Sequence, residues 1–320
     1  MSTLQSANKT VSVVIVTYGK PELLRQCLRA LAKQTTMPDE VIVVDNGNSS
    51  RTAEVLKATI PSAQLILNQE NVFFSRGQNQ GIAQTRSKYV LVLNDDVGLD
   101  AAFLGALVEA LEKRKDCGVA FGTLLSMDGG RVDSAGQQLS WVFRPVERGH
   151  GRPLAELPAE RRWMGAPGAA ALFRRRALEQ VGEEGQFFDE RLSQFYQDLD
   201  LNLRLRRAQY EAVHVPGALG YHLRGGTVQV RRRRWAALGL SSTMQLRLLK
   251  DRYGFRIKYL HFPQALWAFP GAFAYDLALW TTLLLTRPRV LGELLRSFDW
   301  FRGAWEGRRR GFKIPLSYYK

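Results

Sequence analysis

The chain has 320 residues, 45% of them apolar, and a formal net charge of +15. It is long enough for a full buried core, as one large domain or one plus an appendage, and its two cysteines, both in apolar segments, show no disulfide framework and no zinc spacing. The charge calls for an anionic partner: nucleic acid, an acidic membrane face or a phosphorylated ligand.

Residues 1–10 read as a disordered tail without the apolar core of a signal peptide, which makes cytosolic exposure the default. Val11 to Val16 is an apolar strand ending at Thr17-Tyr18-Gly19. Pro21 suits the first turn of a helix, and Leu23, Leu24, Cys27, Leu28 and Leu31 recur at helical spacing. Glu40 to Val44 is a second strand, ending in Asp45-Asn46; a helix through Val55 and Leu56 and a short strand at Gln64 to Leu67 follow. Asn71 to Gly81 passes from loop into helix. Tyr89 to Leu93 is a continuous apolar run that stops abruptly at Asn94, Asp95 and Asp96. A helical pattern follows, with Phe103, Leu104, Leu107, Val108 and Leu111 on one face and Asp100 as N-cap. Strands alternating with helices predict right-handed βαβ units and a mostly parallel sheet. In such a sheet Thr17, Asp45 and Asn94 with Asp96 share the edge where open α/β sheets bind ligands. Hard oxygen donors there suit Mg²⁺ or Mn²⁺ bridging a diphosphate. The other reading makes these aspartates caps of the next helix; three converging strand ends argue against it.

The stretches Val-Ile-Val-Thr-Tyr (14–18), Val-Val-Asp-Asn (43–46), Asn71 with Gly77 and Asn79, and Leu-Asn-Asp-Asp (93–96) resemble the donor half of family 2 glycosyltransferases. That resemblance implies a GT-A fold, a Rossmann-like, mostly parallel central sheet flanked by helices. It further implies nucleotide-sugar contacts from Thr17, Tyr18, Asp45, Asn46, Asn71, Arg76, Asn79, Asn94 and Asp95, and a divalent cation, Mn²⁺ or Mg²⁺, held by Asp96. Three positions depart from the family: Gly19 where Asn is usual, Phe73 where Gly is usual, and Asn94 for the first acid of the Asp-x-Asp motif. No G-x-x-x-x-G-K-[ST] loop and no G-x-G-x-x-G follows the first strand, so kinase and dinucleotide readings lack their phosphate cradles.

Cys117 to Leu125 reads as another strand, 126–162 as loops and short strands over the site, and Ala169 to Phe173 as a small-residue strand that admits close approach. Arg174 to Arg176 read as a solvated helix start. In Gln197-Asp198-Leu199-Asp200, alternating leucines favour strand, while acids in front and arginines behind favour helix, and these charges predict a helix. Asp198 and Asp200 then point roughly 200° apart and have separate jobs. The family motif at this place is Glu-Asp-x-Asp, and by resemblance Asp198 is the catalytic base. Gln197 removes a charge beside it, which eases its ionisation. His222, followed by Arg224 in a glycine-rich loop, matches the family's metal-binding histidine; His150, His214 and His261 have no such context. Trp163, Gln197 and Arg224 are candidate acceptor or diphosphate contacts.

Arg231 to Arg234 open a basic, helical C-terminal region. Phe262 to Thr286 is rich in tryptophan, phenylalanine and leucine, with Asp276 its only formal charge; Pro263, Pro270 and Gly271 predict an interfacial or re-entrant helical pair rather than a span. A buried helical subdomain is the alternative. The organisation is thus a catalytic domain over 11–230, split into a nucleotide-sugar half (11–100) and an acceptor half (101–230), and a membrane-associating region over 231–320. The resemblance implies an inverting transferase, of the bacterial rhamnosyltransferase-like branch, using a dTDP- or UDP-sugar and a lipid-linked or glycan acceptor of surface polysaccharide or lipopolysaccharide. It would sit peripherally on the inner face of the cytoplasmic membrane. A non-catalytic sugar-binding relative and a basic nucleic-acid-binding protein are the other classes. The second lacks any zinc finger, RNA-recognition strand or helix-turn-helix, so no nucleic-acid partner is expected.

Overall fold

The computed structural model describes residues 10–157, 164–183, 185–223, 240–260 and 264–307. Trp163, Arg224, the 231–234 arginine run and His261 lie outside them. The first half alternates as read: β1 (Val11–Thr17), α1 (Pro21–Leu31), β2 (Glu40–Asp45), α2 (Ser50–Thr59), β3 (Gln64–Leu67), α3 (Phe73–Gln84) and β4 (Tyr89–Asn94). These strands pair in parallel, in the order β3-β2-β1-β4. Helices cover both faces of the sheet, which is why β1, β2 and β4 are continuous apolar runs. The helix α3 lies very close to the sheet: a Cβ on Gly81 would come within 2.3 Å of Val14 Cγ1.

A short strand β5 (Val97–Leu99) comes before α4 (Phe103–Lys113). The cap of α4 is Ala102, not Asp100, so Asp95 and Asp96 are not helix caps. The chain continues through β6 (Cys117–Ser126), β7 (Val132–Ser134), the hairpin β8 (Gln137–Leu139) and β9 (Pro145–Glu147), β10 (Ala170–Arg174), α5 (Arg175–Val181), α6 (Gln197–Arg207) and β11 (Glu211–His222). Among the described residues the main sheet extends β4-β10-β6-β11-β5, with β10 antiparallel between β4 and β6 and with β7 on β6. Two of the three arginines read as solvated are packed inside. Arg174 reaches the carbonyls of Cys117 and Leu111, and Arg175 the Ser87 carbonyl and Thr85 hydroxyl. Only Arg176 is exposed.

The alternating leucines of α6 have a tertiary cause. Leu201 and Leu205 pack on the sheet side with Phe121 and Phe173, while Leu199 and Leu203 pack against Phe255 and Tyr259 on the other. Those two aromatics belong to α7 (Ser242–Tyr259), so α6 is a helix buried on two faces. Then come α8 (Gln264–Thr286), α9 (Pro288–Leu295) and α10 (Phe298–Gly307). The expected helical pair is one 23-residue helix, with Pro270 inside it. Its one acid, Asp276, is paired with Arg252 and Arg256 of α7. Leu279 and Leu283 face inward onto Leu249, Val290 and Leu294. Phe273, Leu277, Leu284 and Leu285 face outward, exposed. Among the described residues no helix is long and apolar enough to cross a membrane.

Candidate active site

The parallel register aligns Thr17 with Asp45 and Val16 with Asn94, so three strand ends meet on one edge. Thr17 Oγ1 donates to Asp95 Oδ2 at 2.6 Å. Burial pushes Asp95 up to about 6, although the Thr17 hydroxyl opposes it. Tyr18 projects from this edge, exposed. Asp45 is buried and accepts the Gly47 and Ser49 backbone N–H groups at 2.7 and 2.9 Å, shaping the turn into α2. Asn46 donates to the Phe73 carbonyl and accepts from Asn68. Asn71 Oδ1 takes the Phe73 N–H at 2.8 Å. Phe73 has φ +63°, a conformation natural to glycine, and the Arg247 guanidinium lies 4.0 Å from its ring centroid. Arg76 is exposed. Asn79 points away from the edge: it accepts from Phe187 and Phe188 and donates to the Phe188 carbonyl and Glu190, locking α3 to the 187–190 loop.

Beyond the edge, β11 ends on His222. Its Nε2 is 3.2 Å from Asp96 Oδ1 and its Nδ1 is 2.8 Å from Asp133 Oδ2. Burial alone would lower this imidazole; the hydrogen bonds and charges of Asp133 and Asp96 outweigh it and raise it to about 9. Among the described residues no three His, Cys, Asp or Glu side chains form a ready cage. The pair nevertheless suits a hard divalent cation: such ions take one or two carboxylates and complete their shell with phosphate oxygens and water. Asp133 would keep the Nδ1–H and leave Nε2 free to ligate, the usual role of a carboxylate behind a metal-binding histidine.

Asp198 stands on the first turn of α6, after Tyr196, whose φ of +64° turns the chain into the helix. Its Oδ2 accepts the Gly168 N–H at 3.0 Å and Gln137 Nε2 at 2.5 Å, and its Oδ1 accepts the Leu199 N–H at 2.9 Å. Burial raises its pKa against these three donors. The lost neighbouring charge at Gln197 therefore does not set the direction. Gly168 eases this approach, since a Cβ there would lie 3.1 Å from Asp198 Oδ2, closer than an ordinary contact. The next residue links the base to the strand edge: the Ala169 carbonyl accepts the Asn94 N–H at 2.9 Å. Asp198 lines a cavity of about 410 Å³, together with Gln137, Glu147, Gln197 and residues of α7 and α8.

Asp200 does a different job, as its angle on the helix requires. It is fully buried and pairs with Arg204 at 2.8 Å, Lys258 at 2.6 Å and the Tyr259 hydroxyl at 2.7 Å. Burial alone would raise it, but Lys258 and Arg204 hold it below the usual carboxylate range. Asp251 of α7 accepts the N–H groups of Ser193, Gln194 and Phe195 at 3.1, 2.9 and 2.8 Å, fixing the loop that delivers Asp198. Gln137, Asp133 and Asp251 are site-shaping residues that sequence reasoning did not single out. The nearest legible signal was the small-residue strand Ala169 to Phe173, read as admitting close approach.

The profile of glycosyl transferase family 2 matches residues 12–182. The chain belongs to this family. A glycosyltransferase of family 2 accounts for the aligned strand ends and for a carboxylate poised over a cavity. The chain is similar to the N-acetylglucosaminyl-diphospho-decaprenol L-rhamnosyltransferase of Mycobacterium tuberculosis, 28% identical over 66% of this chain and 75% of that protein. It is also 28% identical to an O-antigen biosynthesis protein of Myxococcus xanthus, over 61% of this chain but 16% of the other. The fold matches the crystal structure of GalNAc-T7 with UDP, GalNAc and Mn²⁺, at a TM-score of 0.55 and 13% identity, over 78% of this chain and 50% of that one. It also matches S. aureus TarS, at 0.51 and 14%, over 78% and 44%. The fold of this family 2 enzyme is therefore that of the GT-A glycosyltransferases.

Proposed function

We propose that this enzyme moves a sugar, rhamnose by its relatives, from a dTDP or UDP donor to a hydroxyl of a lipid-linked acceptor in surface polysaccharide synthesis, with inversion. The observation that carries this reading is the position of Asp198, which lines the cavity and is bonded to Gly168, the neighbour of the Ala169 that pairs with the Asn94 strand end. On this reading Asp198 takes the proton of the acceptor hydroxyl as that oxygen attacks the anomeric carbon from the face opposite the diphosphate. Its raised pKa makes it a better proton acceptor than an exposed carboxylate. Gln137, Gly168 and Leu199 hold the carboxylate still, so little reorganisation accompanies attack. Thr17, Tyr18 and Asp95 flank the nucleoside, with Asn94 toward the diphosphate. Asp96 and His222 would hold a divalent cation, Mn²⁺ or Mg²⁺, with Asp133 orienting the imidazole. When bound, the cation neutralises charge on the departing diphosphate.

The decaprenol-linked acceptor in the name of the Mycobacterium tuberculosis relative supports the lipid-linked acceptor. Membrane contact is supported by the outward Phe273, Leu277, Leu284 and Leu285 of α8 and by Phe298 and Trp305 of α10, all exposed, together with Arg289 of α9, Arg287 and Arg296 at its two ends, and Arg302 of α10. We place the enzyme peripherally on the cytoplasmic face of the membrane. The test is thermal stability of the purified chain against dTDP, UDP and their sugars, with and without Mn²⁺ or Mg²⁺. A metal-dependent rise with one nucleotide series supports the donor site through linkage. No rise with any nucleotide, from folded protein, would refute it.

A further inference from the structure

The cavity beside Asp198 has two ends of different chemistry. At one end Gln137 ties Asp198 to Glu147 of β9, bonding to Glu147 Oε1 at 3.1 Å. Gln137 and Gln197 line this end together with the carboxylate residues Asp198 and Glu147. A carboxylate can accept several hydrogen bonds, so that end suits hydroxyl groups. The other end begins at Arg144, three residues back along the extended chain, which is roughly 10 Å away at strand spacing. This is the depth of one sugar ring and a phosphate.

The Arg144 and Arg252 guanidiniums both lie over the Tyr275 ring, at 4.9 and 4.5 Å from its centroid. Arg252 and Arg256 share the single carboxylate of Asp276. Arg144 is exposed and has no carboxylate partner among the described residues. Three guanidiniums against one acid leave this end cationic. The wall beyond it is apolar: Leu248 and Leu249 of α7, and Leu279 and Leu283 of α8. The opposite face of α8 exposes Leu277 and Leu284, so a chain leaving the cavity meets further apolar surface.

We infer that this cavity is a subsite for a lipid diphosphate. The acceptor sugar lies between Asp198 and β9, its diphosphate is held on Arg144, and the first carbons of the lipid run along the leucines of α7 and α8. This rests on the transferase reading with Asp198 as base, and adds to it the part of the acceptor that does not react. An isolated sugar makes no use of the Arg144 charge or of the apolar lining; a diphosphate-headed lipid uses both.

The test measures binding of farnesyl diphosphate to the full chain by calorimetry, in EDTA and without donor. Farnesol, inorganic pyrophosphate and lysophosphatidylglycerol are the comparison ligands. Farnesyl diphosphate is expected to bind at least about tenfold more tightly than farnesol or pyrophosphate, since each lacks one half of the contact. Arg144→Ala should weaken it by about tenfold or more, as the loss of a charge-assisted contact requires. Leu248→Trp, which fills the cavity, should abolish it. Both variants should keep wild-type melting and nucleotide affinity. If Leu248→Trp does not fold, Leu248→Gln with Arg144→Ala decides the question. The inference fails if farnesyl diphosphate does not bind, if UDP displaces it, if both variants bind it as the wild type does, or if lysophosphatidylglycerol binds equally well. Nucleotide binding reports separately on the transferase reading: its loss with intact farnesyl diphosphate binding would sink that reading and leave the subsite.

Discussion

Replacing Asp198 with Asn separates chemistry from stability. The amide can place its oxygen where Oδ2 now accepts from Gly168 and Gln137, keeping both bonds. Its nitrogen then faces the Leu199 N–H, which loses its side-chain acceptor at a cost of about 1 kcal/mol. Opposing this, the wild type holds an ionised carboxylate where burial disfavours one. A folded-state pKa raised above the unfolded value means stability that is present at low pH and lost as pH rises through the folded pKa. At neutral pH the wild type carries that cost and the amide does not, so the two contributions oppose each other. The melting temperature should move by no more than about 3 °C. Turnover should fall by roughly 10² to 10⁴, the range for removal of a general base, or about 3 to 5 kcal/mol of barrier. The assay is release of nucleoside diphosphate at saturating donor and acceptor, with nucleotide-induced stabilisation as the control for an intact donor site. Wild-type kcat in Asp198→Asn would refute the base assignment.

Asp251→Asn can present an oxygen to only one side of the 193–195 loop, leaving at least one buried N–H unsatisfied. Urea unfolding should show a loss of about 1 to 3 kcal/mol, with a lower kcat because the same loop delivers Asp198; unchanged stability and rate would contradict this. Asp133→Asn should weaken Mn²⁺ binding by roughly 10- to 100-fold, as loss of a carboxylate behind a metal-binding histidine does. Calorimetric titration of the nucleotide-bound protein with Mn²⁺ measures it, and wild-type affinity would remove Asp133 from that role. The base must be ionised to act, so kcat/KM should fall tenfold per pH unit on the acid side, with an apparent pKa above the ordinary 3.8 of Asp. An acid limb at or below that value would contradict a buried base.

The parallel half was legible because each element carries its signal locally. Buried strands such as β1, β2 and β4 are unbroken apolar runs, α1 has one apolar face, and the polar groups at three strand ends share an edge in any parallel sheet. The angle between Asp198 and Asp200 was equally local, a property of one helix turn. What the tertiary structure decided depends on partners distant in the chain. Leucines at every second position of α6 are compatible with a helix only because α7 covers the face that the sheet does not. Arg174 and Arg175 look like surface residues until backbone carbonyls of distant segments accept their hydrogen bonds. Pro270 read as a break, yet α8 runs through it. Burial also reversed the effect read from a neighbour's charge: Gln197 beside Asp198 eases ionisation locally, but desolvation raises the pKa. Local sequence specifies backbone preference and the polarity of a face; how far water is excluded from a carboxylate is set by everything packed around it.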